Sequence, residues 1–164
     1  MTRLIRNAAP ILLVTAVLVG LLIVAPSQAV VANPSPFDTL LGTWRGSGTV
    51  QLNSGRERLT CNAYYTGGGS SLGMAIRCKS ETSKVEIRSK LSLSGNKITG
   101  NWEERTYNAE GSATGTATPS RISITVSGSI TGSMVVDFNR SSQKVSISTS
   151  GSPLQRVSIN LTRS

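Results

Sequence analysis

Leu41-Gly42-Thr43-Trp44-Arg45-Gly46-Ser47-Gly48-Thr49-Val50-Gln51-Leu52 is the stretch whose reading decides the fold. Side chains alternate between the two sides of an extended chain. Trp44, Val50 and Leu52 therefore share one face, and Arg45, Thr49 and Gln51 share the other. That makes a strand with an apolar side and a polar side. It carries one of the chain's two tryptophans.

Downstream the same alternation recurs in short runs, each closed by turn residues. The turns fall at Asn53–Gly55, Gly67–Ser71, Ser80–Ser83, Ser94–Asn96, Arg105–Asn108, Thr118–Ser120, Ser127–Gly132, Asn139–Ser142 and Ser150–Pro153. These nine turns imply ten strands, a spacing that signals a sandwich or barrel. Inward rows follow from parity: Leu59, Cys61, Ala63 and Tyr65; Leu72, Met74, Ile76 and Cys78; Val85, Ile87, Leu91 and Leu93. Ile98 and Trp102, then Ile122, Ile124 and Val126, then Val157, Ile159 and Leu161 continue the pattern. A closed barrel buries such a stripe and leaves no free sheet edge. The predicted architecture is all-β, an antiparallel up-and-down barrel of about ten strands. The stretch Ala109–Ala117 has almost no bulk. It either lets a neighbouring strand approach closely or leaves interior volume empty.

Residues 1–29 read differently. Arg3 and Arg6 precede the apolar run Ile11–Ala25, and Ser27 and Ala29 supply small residues for cleavage. This is the pattern of a secretory signal peptide, cut after Ala29 or, as a second candidate, Ala32. The apolar run is shorter than the ~20 residues a spanning helix needs. Residues 30–40, with Pro34 and Pro36, are expected to form an extended N-terminal arm before a single barrel domain over 41–164. The protein is thus expected to be secreted or periplasmic, with no stable membrane insertion after cleavage.

Export bears on the two cysteines. In an oxidising compartment Cys61 and Cys78 are expected to form a disulfide. If they face each other, Ala63 faces Ile76 and Tyr65 faces Met74, so every inward residue meets an inward residue. A metal site would need further ligands that the sequence does not offer near this pair.

Composition limits the chemistry. The chain has 17 basic and 8 acidic side chains and no histidine. Without Arg3 and Arg6 the balance is 15 against 8. The positive charges are spread singly along strands, and only two Trp, three Tyr and two Phe accompany them. That argues against a nucleic-acid surface, which wants basic residues clustered among stacking aromatics. It also argues against an outer-membrane barrel, whose lipid face should be apolar. Without His there is no Ser-His-Asp triad and no imidazole ligand to a metal or haem. Glu103 and Glu104 are adjacent on a strand and point to opposite faces, so they make no facing carboxylate pair. Glu104 is the inward one, placed to bind a polar head group, to pair with Arg, or to be solvated at the rim. No cofactor is called for, and the chain reads as non-enzymatic.

Gly42-Thr43-Trp44 resembles the Gly-x-Trp motif that opens the barrels of the calycin superfamily, the lipocalin, avidin and fatty-acid-binding group. Leu40–Gly46 looks most like nitrobindin-type barrels, which also have ten strands but hold haem through a His that this chain lacks. The outline is similar to bacterial secreted metalloprotease inhibitors, small disulfide-bonded barrels whose N-terminal arm enters the protease cleft. In calycins a basic residue from a late strand packs over the motif Trp. Arg163, in phase with Val157, Ile159 and Leu161, is the matching candidate, since the first and last strands of an up-and-down barrel are neighbours.

The expected function is a barrel that binds a small apolar or amphipathic ligand or a lipid, with Trp44, Tyr65, Met74, Trp102 and Glu104 as interior candidates. A protein partner engaged by the arm, as in a protease inhibitor, is the alternative. If Trp44 and Arg163 close one end, a ligand enters opposite, near Asn53.

Overall fold

The computed structural model describes residues 34–164; the signal-peptide segment 1–29 and residues 30–33 lie outside them. A short helix α1 (Pro36–Leu40) precedes ten strands: β1 (Gly42–Leu52), β2 (Gly55–Gly68), β3 (Ser71–Lys79), β4 (Lys84–Ser94) and β5 (Lys97–Glu104). There follow β6 (Ala109–Thr118), β7 (Arg121–Gly128), β8 (Thr131–Phe138), β9 (Ser142–Ser150) and β10 (Leu154–Arg163). Each strand pairs antiparallel with the next, and β10 returns to β1, so the sheet closes as a barrel. Closure satisfies the backbone groups that an open edge would expose.

The alternation seen in the sequence becomes the inside and outside of this wall. Trp44, Val50 and Leu52 of β1 are buried, as are Leu59, Cys61, Ala63 and Tyr65 of β2 and Leu72, Met74, Ile76 and Cys78 of β3. The β2–β3 register pairs Cys61 with Cys78, Ala63 with Ile76 and Tyr65 with Met74, and the two cysteines are bonded. Met134, Val136 and Phe138 of β8 and Val145 and Ile147 of β9 complete the apolar lining.

The outer surface is polar and carries the ion pairs. Arg77 and Arg88 both reach Glu86 Oε1, at 3.3 and 2.6 Å. The Arg88 hydrogen bond is the main cause holding the Glu86 carboxyl below its ordinary value. Arg121 grips Asp137 from the neighbouring strand through two hydrogen bonds of 2.5 and 3.0 Å. Such exposed pairs add little to stability.

One expectation needs correction. Residues 36–40 are not extended: they form α1. Ser35 caps the helix, its hydroxyl accepting from Phe37 N at 3.2 Å while Asp38 Oδ2 accepts from Ser35 N at 3.1 Å. Pro36 stands at the first helical position, where its fixed φ suits the helix and its missing N–H is no loss. Two prolines and small polar neighbours suggest an extended chain; the reciprocal cap Ser35-x-x-Asp38 converts them into a helix start. Phe37 and Leu40 are fully buried, so α1 covers one mouth of the barrel.

Candidate functional site

The two ends of the barrel differ. At the α1 end, Trp44 is completely buried and its indole N–H donates to Leu40 O at 2.7 Å. The Arg163 guanidinium lies over the Trp44 ring, 4.2 Å from its centroid. It also donates to Thr39 O at 2.6 Å, to Arg140 O at 2.8 Å and to Leu41 O. One planar cation therefore ties together β1, β10, α1 and the β8–β9 turn, using the several donors of its fork. Gly42, with φ +109°, brings the chain under this group; a Cβ there would stand 3.1 Å from Arg163 Nη1. Asp38 Oδ1 fastens α1 to the β2–β3 turn through Gly69 N at 2.7 Å.

Just inside this plug sits a polar pair. Tyr65 O–H donates to Gln143 Oε1 at 2.7 Å, and both residues are buried. Burial pushes the Tyr65 phenol well above its ordinary pKa, and the hydrogen bond to Gln143 opposes that rise only partly. Gln143 Nε2 is buried without a partner among the described residues. Gln143 was absent from the sequence-based core, which named no inward residue between Val126 and Val157.

The opposite end holds a cavity of about 310 Å³. Its walls come from β4 (Val85, Ile87, Ser89), β5 (Trp102, Glu104), β6 (Ala113), β7 (Ile124, Val126), β8 (Met134), β9 (Ile147) and β10 (Val157). Tyr107, Ser129, Ile130 and the stretch Gly151–Leu154 form its rim. That rim adjoins the β1–β2 turn, since Asn53 N donates to Pro153 O at 3.0 Å and Gln155 Nε2 donates to Asn53 Oδ1 at 2.8 Å. The mouth thus lies at the Asn53 end of the molecule.

The five interior candidates do not converge. Trp102 and Glu104 line the cavity; Trp44, Tyr65 and Met74 are buried elsewhere in the barrel. Trp102 is fixed by its indole N–H, which donates to Ser127 O at 3.3 Å. Glu104 is not solvated, and no Arg among the described residues pairs with it. It is 8% exposed, and its two oxygens accept from Glu86 N at 2.8 Å and Tyr107 N at 2.6 Å. It thereby holds the β5–β6 turn at the rim against β4.

The small-residue stretch in β6 has both of the consequences its composition allowed. A Cβ on Gly111 or Gly115 would collide with the backbone carbonyl of Ser127 or Ser123, so these glycines permit close strand approach. Ala113, between them, leaves cavity volume that a larger side chain would occupy. Ser89 was missed altogether. It is a buried serine in the inward row of β4, opposite Trp102. Parity with Leu91 and Leu93 was the signal that could have found it.

The barrel has known structural counterparts. It superposes on Rv2717c from M. tuberculosis with a TM-score of 0.63 at 13% identity, covering 80% of this chain and 99% of that one. It also superposes on the S-type phycobiliprotein lyase CPES from Guillardia theta, with a TM-score of 0.50 at 14% identity, covering 77% of this chain and 89% of that one. At these identities the likeness speaks for the fold alone, a closed antiparallel barrel. No protein-family model matches the chain, and no curated protein sequence does.

Among the described residues, no three His, Cys, Asp or Glu side chains are grouped to hold a metal ion, and no helix is long and apolar enough to cross a membrane.

Proposed function

We propose that this protein is an exported, non-enzymatic barrel of the calycin type that holds a small apolar or amphipathic ligand. The observation that carries this reading is the cavity: about 310 Å³, walled by aliphatic side chains, a methionine and Trp102, and entered from the end opposite the Trp44–Arg163 plug. Pockets of roughly 300–1,000 Å³ with apolar walls and few polar groups are the usual form of small-molecule sites. The disulfide and the signal-like segment 1–29 favour a secreted or periplasmic setting. The likeness to Rv2717c and to the lyase speaks for the fold alone, so the ligand is argued from the cavity.

The inhibitor reading has less support. Part of the arm it requires is already committed, because Phe37 and Leu40 are fully buried in the protein's own barrel. A free arm could only come from residues before Pro36.

Native mass spectrometry of the protein after incubation with a cell lipid extract tests the proposal. A bound mass is expected, and Ala113→Leu, which fills the cavity from the β6 wall, should reduce its occupancy at least ~10-fold, given that one unit of pKd corresponds to ~1.4 kcal/mol. Failure to retain any ligand under conditions that preserve non-covalent complexes would overturn it.

A further inference from the structure

Among the described residues, no Lys or Arg side chain lines the cavity or its rim. Glu104 is the single formally charged side chain among the lining residues. The basic residues next to lining residues in sequence are engaged or exposed outside: Arg88 pairs with Glu86 at 2.6 Å, Arg105 lies 4.0 Å from Glu103, and Lys84, Lys90 and Arg156 are exposed. On the β4 wall, opposite Trp102, the buried Ser89 offers a hydroxyl that can both donate and accept.

An anionic head group would find no counter-charge here. In the apolar depth it would lose its hydration without a partner, and at the mouth it would meet the Glu104 carboxyl. A neutral hydroxyl or carbonyl has the Ser89 hydroxyl to bond. On this basis we infer that the occupant is an uncharged chain-like or ring apolar molecule bearing one neutral hydrogen-bonding group, and that carboxylate-headed lipids are excluded. This rests on the ligand-binding reading above.

Two probes of equal chain length, dodecanol and dodecanoate, separate the possibilities when titrated at neutral pH, below the concentration at which either aggregates, with Trp102 fluorescence and calorimetry as readouts. Dodecanol is expected to bind at least ~10-fold more tightly than dodecanoate, the unpaired charge setting the difference. Ser89→Ala should weaken dodecanol several-fold without unfolding the barrel. Ile130→Lys, which places a cation on the rim, should bring dodecanoate up toward dodecanol. Equal or tighter binding of dodecanoate to the unaltered protein, or an affinity ratio that Ile130→Lys leaves unmoved, would overturn the charge assignment while leaving the ligand-binding reading standing. If neither probe binds and the lipid extract also leaves the protein empty, the ligand-binding reading itself falls.

Discussion

Tyr65 and Gln143 show how one polar contact behaves inside an apolar barrel. Their hydrogen bond joins β2 to β9 across the interior, at a separation of 78 residues. Removing one partner leaves a buried group unsatisfied, whereas replacing both with apolar groups restores balance. Tyr65→Phe should therefore cost about 1–3 kcal/mol in urea unfolding, and Tyr65→Phe combined with Gln143→Leu should recover much of that loss. The same phenol sets a pH dependence. Its folded pKa is raised above the unfolded value of about 10, so between those values the unfolded chain binds fewer protons than the native one. Stability from this group is complete below about pH 10 and declines as pH rises beyond it. Urea midpoints of the native protein should fall more steeply as pH rises above about 10 than those of Tyr65→Phe. Tyr65 was legible as an inward residue from parity. Its partner was not, because alternation identifies apolar residues and Gln143 is polar.

The β2–β3 hairpin is the element that sequence reasoning resolved furthest. The pairing of Cys61 with Cys78 and the inward pairs Ala63–Ile76 and Tyr65–Met74 were deduced together, because one register satisfies all three. The disulfide spans 17 residues, and in the chain-entropy account closing a loop of this size restricts the unfolded state by about 3 kcal/mol. Replacing both cysteines by alanine should lower unfolding stability by roughly that amount, measured by urea titration under non-reducing conditions. Retaining β2–β3 pairing in the altered protein would show that the hydrophobic register suffices without the bond. Helix α1 is the opposite case. Five residues are too few to show a helical period, and the signals that make it, Pro36 at the first position and the Ser35–Asp38 cap, also occur in extended and turn segments.

At the scale of the molecule, the barrel is closed by pairing its first and last strands, Trp44 opposite Arg163 and Val50 opposite Val157. Arg163, the last residue of β10, is part of that seam. Arg163→Ala removes the stacking on Trp44 and three hydrogen bonds to carbonyls, and should destabilise the protein by about 1–3 kcal/mol. A red shift of tryptophan emission should accompany the loss as water reaches Trp44. Arg163→Lys should recover only part, since an ammonium lacks the planar fork that reaches several carbonyls at once.

The amino-acid sequence by itself determined the ten strands, the faces of seven of them, the hairpin register with its disulfide, and the position of Arg163 in phase with its strand's inward row. These depend on a period of two residues and on turn chemistry, which are local. Which inward residues surround empty space was decided only by the tertiary structure. Parity says that Trp44, Tyr65, Met74, Trp102 and Glu104 point inside, but not at what depth, nor what stands opposite across the barrel. Those follow from the stagger of the closed sheet and from the summed volumes of walls far apart in the chain. Trp44 thus became the floor, Tyr65 found Gln143, Glu104 fastened a turn, and the void opened between Trp102, Ser89 and Ala113.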